Sequence, residues 1–318
     1  MLHWLFIAAS CKLSRILSIC IKPCMSPHHA SDHSEAAHLA TLSDLPLLLN
    51  AEQLLPLLHH PLLRIVDLSK PQVYEQVHLP HAISLAPKAL VRQEDYASGL
   101  LPDLPQLQQL IETLCITAQH HIVVYDDEGG AWAGRLIWTL HLLGFTQVSL
   151  LNGGIHYWLA RNFPISNEPV VIPSLPEMPI ILDTQYRITL DQLKNSVLEQ
   201  PNTHSLWDCR SIEEYTGERL AARRGGHIPH AMHLAWDSLF DRKDYLRLKP
   251  LAMIRHLLAA RGLDFDKPLI VYCQSHHRSG LAYVVARLFN LNVQAYDGAW
   301  SEWGNRLDTP VVTGEHPL

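Results

Sequence analysis

The sequence predicts an α/β protein of two tandem domains, each a parallel sheet flanked by helices. Three observations carry this. Short apolar runs of strand length alternate with segments of helical period. Three motifs recur in the same order at nearly constant separation. The chain has 318 residues, which suits two domains of ordinary size.

The repeat is legible by eye. Val77-His78-Leu79-Pro80-His81-Ala82-Ile83 resembles Gly226-His227-Ile228-Pro229-His230-Ala231-Met232. Ile122-Val123-Val124-Tyr125-Asp126 resembles Leu269-Ile270-Val271-Tyr272-Cys273. Asn152-Gly153-Gly154 with Trp158 resembles Asp297-Gly298-Ala299 with Trp303. The separations are 149, 147 and 145 residues (Val77 to Gly226, Ile122 to Leu269, Asn152 to Asp297). A period as long as a whole domain means duplication rather than a solenoid.

In the first copy, the leucine-rich stretch from Leu42 to Leu58 reads as helical, with breaks at Pro46 and Pro56. Leu63–Asp67 is a strand, Leu107–Cys115 a helix and Ile122–Tyr125 a buried strand. Ala133–Leu143 is a helix closed by Gly144, and Val148–Leu151 is a strand. Five prolines (Pro164, Pro169, Pro173, Pro176, Pro179) then interrupt any regular pattern. The second copy restarts at Arg187-Ile188-Thr189. It continues with a strand at Ser205–Asp208, a helix at Leu251–Ala260 closed by Gly262, a strand at Leu269–Tyr272, and a last strand at Val293–Tyr296. The boundaries expected are an extension over residues 1–40, a non-catalytic domain over 41–167, a linker over 168–187 and a catalytic domain over 188–318. The two copies are expected to pack as a pseudo-symmetric pair.

Residues 1–40 differ from the rest. The apolar run Trp4–Ala9 is too short to span a membrane. Lys12, Arg15 and Lys22 follow it, the reverse of a signal peptide, and the His-rich polar stretch 26–38 reads as disordered. The preferred reading is a native start at Met25. A degenerate signal or peripheral anchor is the other.

Hydrophobic residues make up 47% and charged residues 18%, with a net charge of −6. Without a basic stripe, nucleic-acid binding is excluded. The 21 histidines are scattered, and no HExxH or zinc-type Cys/His spacing occurs. Neither a metal nor an organic cofactor is expected. The six cysteines form no CxxC pair, so reduced thiols in the cytoplasm are expected.

The chemistry centres on Cys273. It follows a buried strand and precedes a polar loop and a helix. Backbone N–H groups and a helix dipole converge at such a place and favour an anion, the condition a cysteine nucleophile needs. The loop Gln274, Ser275, His276, His277 and Arg278 can curl with its N–H groups inward and bind an anion or a charged sulfur. Ser279 can cap the helix. In the first copy the matching residue is Asp126, followed by Asp127-Glu128, so that loop lacks a nucleophile. Asp208-Cys209-Arg210 ends a strand expected to run parallel to the Cys273 strand. Asp208 is expected to give structural support. Arg210 is expected to clamp an anion, against the alternative of a surface arginine paired with Glu213 or Glu214. Cys209 is expected to be packing. Trp300 and Trp303 are expected in the core, Trp236 is expected to pack near the cleft, and Arg223 and Arg224 are expected in a solvated loop.

These residues resemble the tandem-domain rhodaneses, the thiosulfate and 3-mercaptopyruvate sulfurtransferases, over about residues 41–315. The resemblance rests on Asp208-Cys209-Arg210, Glu214-Tyr215, Gly226–Ala231, the Tyr272-Cys273 loop and Asp297-Gly298-Ala299-Trp300. It implies an inactive first domain with Asp126 in place of cysteine, and a catalytic second domain. The loop Cys273-Gln274-Ser275-His276-His277-Arg278-Ser279-Gly280 is unlike the CRKGVT and CGSGVT versions and similar to the CQTHHRSG loop of the Azotobacter-type bacterial rhodaneses. The resemblance implies transfer of the outer sulfur of thiosulfate through a Cys273 persulfide to cyanide or a thiol or dithiol. Gln274, Ser275, His276, His277, Arg278 and Arg210 would bind substrate, and the chain would act as a monomer. A 3-mercaptopyruvate donor and a non-catalytic sulfur-carrier or regulatory module are the alternatives. A phosphatase or arsenate reductase is disfavoured, because only the four residues Gln274–His277 separate cysteine from arginine, one fewer than those enzymes commonly use.

Overall fold

Strands that read as unbroken apolar runs need cover on both faces. The computed structural model, which describes residues 42–170, 179–201 and 203–317, supplies that cover twice. The readings for residues 1–40, the middle of the 168–187 linker and its prolines at 173 and 176 lie outside the described residues.

The first copy runs β1 Leu48–Leu49, α1 Ala51–Leu54, β2 Leu63–Asp67, α2 Pro71–Gln76, β3 Ala82–Ser84, β4 Arg92–Glu94, β5 Ala97–Leu100, α3 Leu104–Leu114, β6 His121–Tyr125, α4 Ala131–Leu142, β7 Val148–Leu151 and α5 Gly154–Ala160. The second runs β8 Arg187–Ile188, α6 Leu190–Glu199, β9 Ser205–Asp208, α7 Ile212–Thr216, β10 Ala231–His233, β11 Phe240–Asp241, β12 Arg247–Leu248, α8 Leu251–Ala260, β13 Leu269–Tyr272, α9 Arg278–Leu288, β14 Val293–Tyr296 and α10 Ala299–Trp303. The sheets have matching orders, β1-β7-β6-β2-β3 and β10-β9-β13-β14-β8 read from opposite ends, and every pairing in them is parallel. β6 and β13 hold equivalent inner places, and each of their residues is buried.

One element departs from expectation. Leu42–Leu58 is not a broken helix. It comprises a 3₁₀ turn at Leu42–Asp44, strand β1, helix α1 and a second 3₁₀ turn at Leu55–Leu57. Leu48 and Leu49 register against Leu150 and Leu151 at the sheet edge, and that tertiary pairing overrides leucine's helical propensity.

The repeat reaches deeper than its motifs. Tyr74 stacks on His78 with ring centroids 3.9 Å apart, and Tyr215 stacks on His227 at 3.7 Å. The Trp158 indole donates to Pro164 O and the Trp303 indole to Pro310 O, both at 2.7 Å. After each tryptophan the chain returns to bridge its own histidine, Ser166 to His78 and Val312 to His227.

The two copies meet along α4 and α9. A Cβ at Gly134 would overlap the Gly280 carbonyl, and one at Gly280 would overlap the backbone N of Arg135. Two glycines therefore let the helix backbones touch. His141 Nδ1 and Tyr283 Oη, 2.7 Å apart, join the same helices. Each domain also lends the other a hairpin. The segment after β5 donates Leu101 N–H to Asp297 Oδ2 at 2.7 Å, while β12 donates Leu248 N–H to Asn152 Oδ1 at 2.9 Å. Asn152 and Asp297 occupy matched positions of the repeat.

Gly280→Ala tests this interface. In an open helix the change gains about 0.5–1 kcal/mol. Here the clash costs about 1–3 kcal/mol and should win. The urea midpoint is expected to fall; a rise would show that the helices do not cross at Gly134 and Gly280.

Candidate active site

The first domain shows what the loop geometry is built to hold. At the end of β6 the buried Asp126 carboxylate accepts N–H bonds from Glu128 (3.0 Å), Gly130 (2.8 Å) and Ala133 (3.0 Å). Burial pushes its pKa up, and these three N–H groups work against that rise. The loop is thus a backbone cradle filled by its own residue's anion. Outside it, Lys70 pairs with Glu128 at 2.9 Å.

At the end of β13 the same position is Cys273. It carries no carboxylate, and among the described residues no backbone N–H from Gln274 to His277 is hydrogen-bonded. The carbonyls of this loop are turned outward instead. Cys273 O accepts Trp300 N–H at 3.0 Å and Gln274 O accepts Ser301 N–H at 2.9 Å, both at the start of α10. Ser275 O packs against Gly99, where any side chain would collide. His276 O faces Arg135 Nη1 at 3.5 Å. With trans, planar peptides, outward carbonyls leave the N–H groups pointing the other way.

The loop side chains go to walls rather than to solvent. The Gln274 amide donates to Ala221 O at 2.8 Å. Ser275 Oγ lies 3.3 Å from His277 Nδ1. His276 sits at φ 52, where its match in the repeat is Gly129 at φ 84. Its ring meets Trp138 edge to face at 4.5 Å, and its Nδ1 is 2.7 Å from Ser279 Oγ. His277 stacks on Trp132 at 4.9 Å. Burial pulls both histidines' pKa values down, that of His277 to about 4, so both are neutral near pH 7. Ser279 does not cap the helix: α9 starts at Arg278 with His277 as N-cap residue, and the hydroxyl is committed to His276. Cys273 itself is fully buried.

Three arginines surround the loop. Arg278 is bidentate to Glu214, at 2.7 and 3.0 Å. Arg210 is fully buried at the end of β9. That strand is parallel to β13 with Asp208 opposite Tyr272, so Arg210 emerges at the same sheet edge as Cys273. Its Nε lies 3.0 Å from both Asp208 oxygens, its Nη2 reaches Gly226 O at 2.7 Å, and its guanidinium covers the Trp300 ring at 4.4 Å. Arg210 therefore pairs with Asp208 and not with Glu213 or Glu214, and its Nη1 is buried without a hydrogen-bond partner. Cys209 is packed beside it, and burial pushes its thiol pKa well up. Trp300 and Trp303 are core, and Trp236 packs on Phe240 at 5.3 Å. Arg224 is not solvated: it donates to Thr309 O at 2.7 Å and Trp303 O at 3.0 Å. Arg223 lies over the Tyr96 ring of the β4–β5 hairpin at 4.6 Å.

Sequence reasoning missed the third arginine, Arg135. It comes from α4 of the first domain and is fully buried. The available signal was a lone charge inside the mostly apolar Ala131–Leu142 helix. Glu214 was named in the resemblance and as a partner for Arg210 but not as the partner of Arg278, although Ser211-x-x-Glu214 is a capping-box pattern and the box forms.

A family model described as a rhodanese-like domain matches residues 50–161 and 189–306. The chain is 38% identical over 272 residues to the thiosulfate sulfurtransferase of Azotobacter vinelandii, covering 85% of this chain and 98% of that one. It is 37% identical over 274 residues to the thiosulfate sulfurtransferase of Pseudomonas aeruginosa, covering 86% and 99%. Among solved structures, the anaerobic ergothioneine biosynthesis enzyme of Chlorobium limicola superposes with a TM-score of 0.71 at 24% identity, over 79% of this chain. The match spans 64% of that enzyme's chain, and it speaks for the fold.

The Glu214–Arg278 pair predicts an acid dependence. Burial alone would raise the Glu214 pKa; the Arg278 guanidinium outweighs it and holds the carboxyl down to about 2 from 4.5. A depressed folded-state pKa gives stability that is present above about pH 4.5 and lost as pH falls toward 2, worth about 3 kcal/mol at most. Glu214→Gln should therefore destabilise the protein at neutral pH, with the gap from the parent narrowing below pH 4.5. Urea midpoints of both proteins across that range measure it, and a pH-independent gap would refute the pair's role.

Proposed function

The chain belongs to the rhodanese family, and on that premise we propose that it is a thiosulfate sulfurtransferase working through a persulfide on Cys273. The observation that carries the reading is the contrast between the two loops. One cradle is filled by the Asp126 carboxylate; its twin holds a cysteine at the same place, with free N–H groups for an anion that arrives by reaction.

The steps balance. Cys273 thiolate attacks the outer sulfur of thiosulfate, a new S–S bond forms, and the donor's S–S bond breaks with its electron pair leaving on sulfite. The Cys273 persulfide anion keeps one negative charge, which the loop N–H groups of Gln274, Ser275, His276 and His277 would bind, with the α9 dipole behind them. An acceptor then attacks the terminal sulfur and returns the thiolate: cyanide leaves as thiocyanate, and a thiol leaves as its own persulfide. Arg278 keeps the site electropositive, and the spare Nη1 of Arg210 is the group offered to the donor's sulfonate. Asp208 fixes Arg210, and Ser279 fixes His276. Neutral, wall-packed His276 and His277 fit a mechanism that needs no histidine acid or base.

Likeness of the loop to the Azotobacter-type sequence, and similarity to two thiosulfate sulfurtransferases, support thiosulfate over 3-mercaptopyruvate as donor. We place the protein in the cytoplasm, in keeping with free thiols at Cys115, Cys209 and Cys273, and no helix among the described residues is long and apolar enough to cross a membrane. We read it as a monomer, because each domain already covers the other's loop.

After thiosulfate treatment, intact-mass and peptide analysis should show one added sulfur on Cys273. Cyanide should remove it, and Cys273→Ala should abolish both steps. Steady-state turnover far below the single-turnover rate would favour a sulfur carrier instead, and faster turnover with 3-mercaptopyruvate would overturn the choice of donor.

A further inference from the structure

Arg135 is a buried guanidinium in the domain that lacks the nucleophile. Its Nη2 donates to Leu90 O at 2.8 Å and Leu100 O at 3.2 Å, on either side of the β4–β5 hairpin. Its Nη1 reaches across the interface to His276 O, and its carbon lies 4.6 Å from the centre of the Trp138 ring. Its Nε is buried without a partner. The carboxylate whose field reaches it, Asp297, is already engaged by Arg187 at 3.0 Å and by Leu101 N–H. Burial draws the Arg135 pKa down to about 10, so it stays charged at neutral pH. An unpaired buried cation is costly, and the Cys273 sulfur is among the groups whose field acts on it.

We propose that Arg135 is a positioning residue for sulfur transfer: from the first domain it orients the 276–277 peptide so that His277 N–H faces the sulfur of Cys273, and it adds a fixed positive charge beside that of Arg278. This rests on the reading of Cys273 as the sulfur-bearing nucleophile.

The repeat shows which N–H groups matter. Asp126 Oδ1 is bound by the N–H groups of Glu128 and Gly130. At the 147-residue offset that relates Ile122 to Leu269, these correspond to Ser275 and His277. The peptide that supplies His277 N–H is the one whose carbonyl Arg135 holds. His276 also takes the left-handed conformation there, which is uncommon for a residue with a side chain. An external hold on its carbonyl supplies what glycine gives the first loop for nothing. A cation on the carbonyl side also polarises the peptide and strengthens its N–H as a donor. Arg135 is thus a direct route by which the domain without a nucleophile reaches the chemistry of the other.

The test uses the full chain with Arg135→Gln, which removes the charge, and Arg135→Lys, which keeps it without the fork. Persulfide formation is followed by mass in single turnover with thiosulfate, and persulfide lifetime in acceptor-free buffer, with urea midpoints alongside. In Arg135→Gln, formation at saturating thiosulfate should slow about tenfold, less than the roughly hundred- to thousandfold cost of losing a direct donor to a developing anion, because Arg135 acts through the peptide. The persulfide should also shed sulfur several-fold faster, with KM nearly unchanged. Arg135→Lys should fall between the two. A folded Arg135→Gln with the parent's rate and lifetime overturns the proposal. If that variant does not fold, Arg135→Lys decides: parent-like values refute the claim about peptide orientation. Failure of the underlying reading looks different, because the unmutated protein would then gain no sulfur at Cys273.

Discussion

Backbone N–H groups gathered at the carboxyl end of a buried strand must bind something negative, or remain unsatisfied in a dry site. That constraint sits at the centre of each domain. In the first, Asp126 meets it with its own carboxylate, which becomes a structural plug. In the second, Cys273 is shorter and carries no carboxylate to fill the same cradle. The N–H groups of Gln274–His277 are held inward because the carbonyls have partners elsewhere: α10 for Cys273 and Gln274, Arg135 for His276. The loop is preorganised by what lies behind it, which is the condition for stabilising charge that appears during reaction.

The pairing of domains follows from the same need. A cradle open to water would have its N–H groups solvated and its field weakened. Each domain closes the other's loop with a hairpin, anchored at Asn152 on one side and Asp297 on the other, and the glycine crossing of α4 and α9 brings those hairpins within reach. Gly99 against Ser275 and Gly134 against Gly280 are places where a methyl group would push the halves apart. The buried Asp208–Arg210 pair has a similar logic: Arg210 is enclosed against the Trp300 face and the Gly226 carbonyl, and only its Nη1 is left over.

Much of this was legible in the sequence. The α/β class, the duplication, ten or so strands and helices, and the parallel neighbours β9 and β13 all follow from local pattern and repeat. What failed had a tertiary cause. Leu42–Leu58 became an edge strand and short turns because β7 needed a partner. Ser279 missed the cap because helix α9 begins two residues earlier than its hydroxyl can serve, and His276 took the bond. Arg224, set between Arg223 and the Gly225-Gly226 pair, gave no local sign that it would be covered by the Thr309 and Trp303 carbonyls. Arg210 and Glu214 were both noticed, but which anion takes which cation is decided by three dimensions. Arg135 showed only as a lone charge in the α4 segment, and nothing local tied it to a loop of the other copy.

That last omission bears on why a domain without a nucleophile should be part of the working unit. If α4 served only to pack, an apolar residue at 135 would fill the interface more cheaply than a guanidinium, since replacing buried charges by well-packed hydrophobes is often neutral or stabilising. Arg135 instead stays charged, grips two carbonyls of its own hairpin, and spends its remaining reach on a carbonyl of the reactive loop. The energy lost by burying it is offset partly by those bonds and the Trp138 face, and the remainder is a field that reaches the Cys273 sulfur, where the proposed reaction would leave an anion. On the proposed reading the active site is therefore a property of both domains: one would carry the sulfur, and the other faces the peptide that would receive its charge.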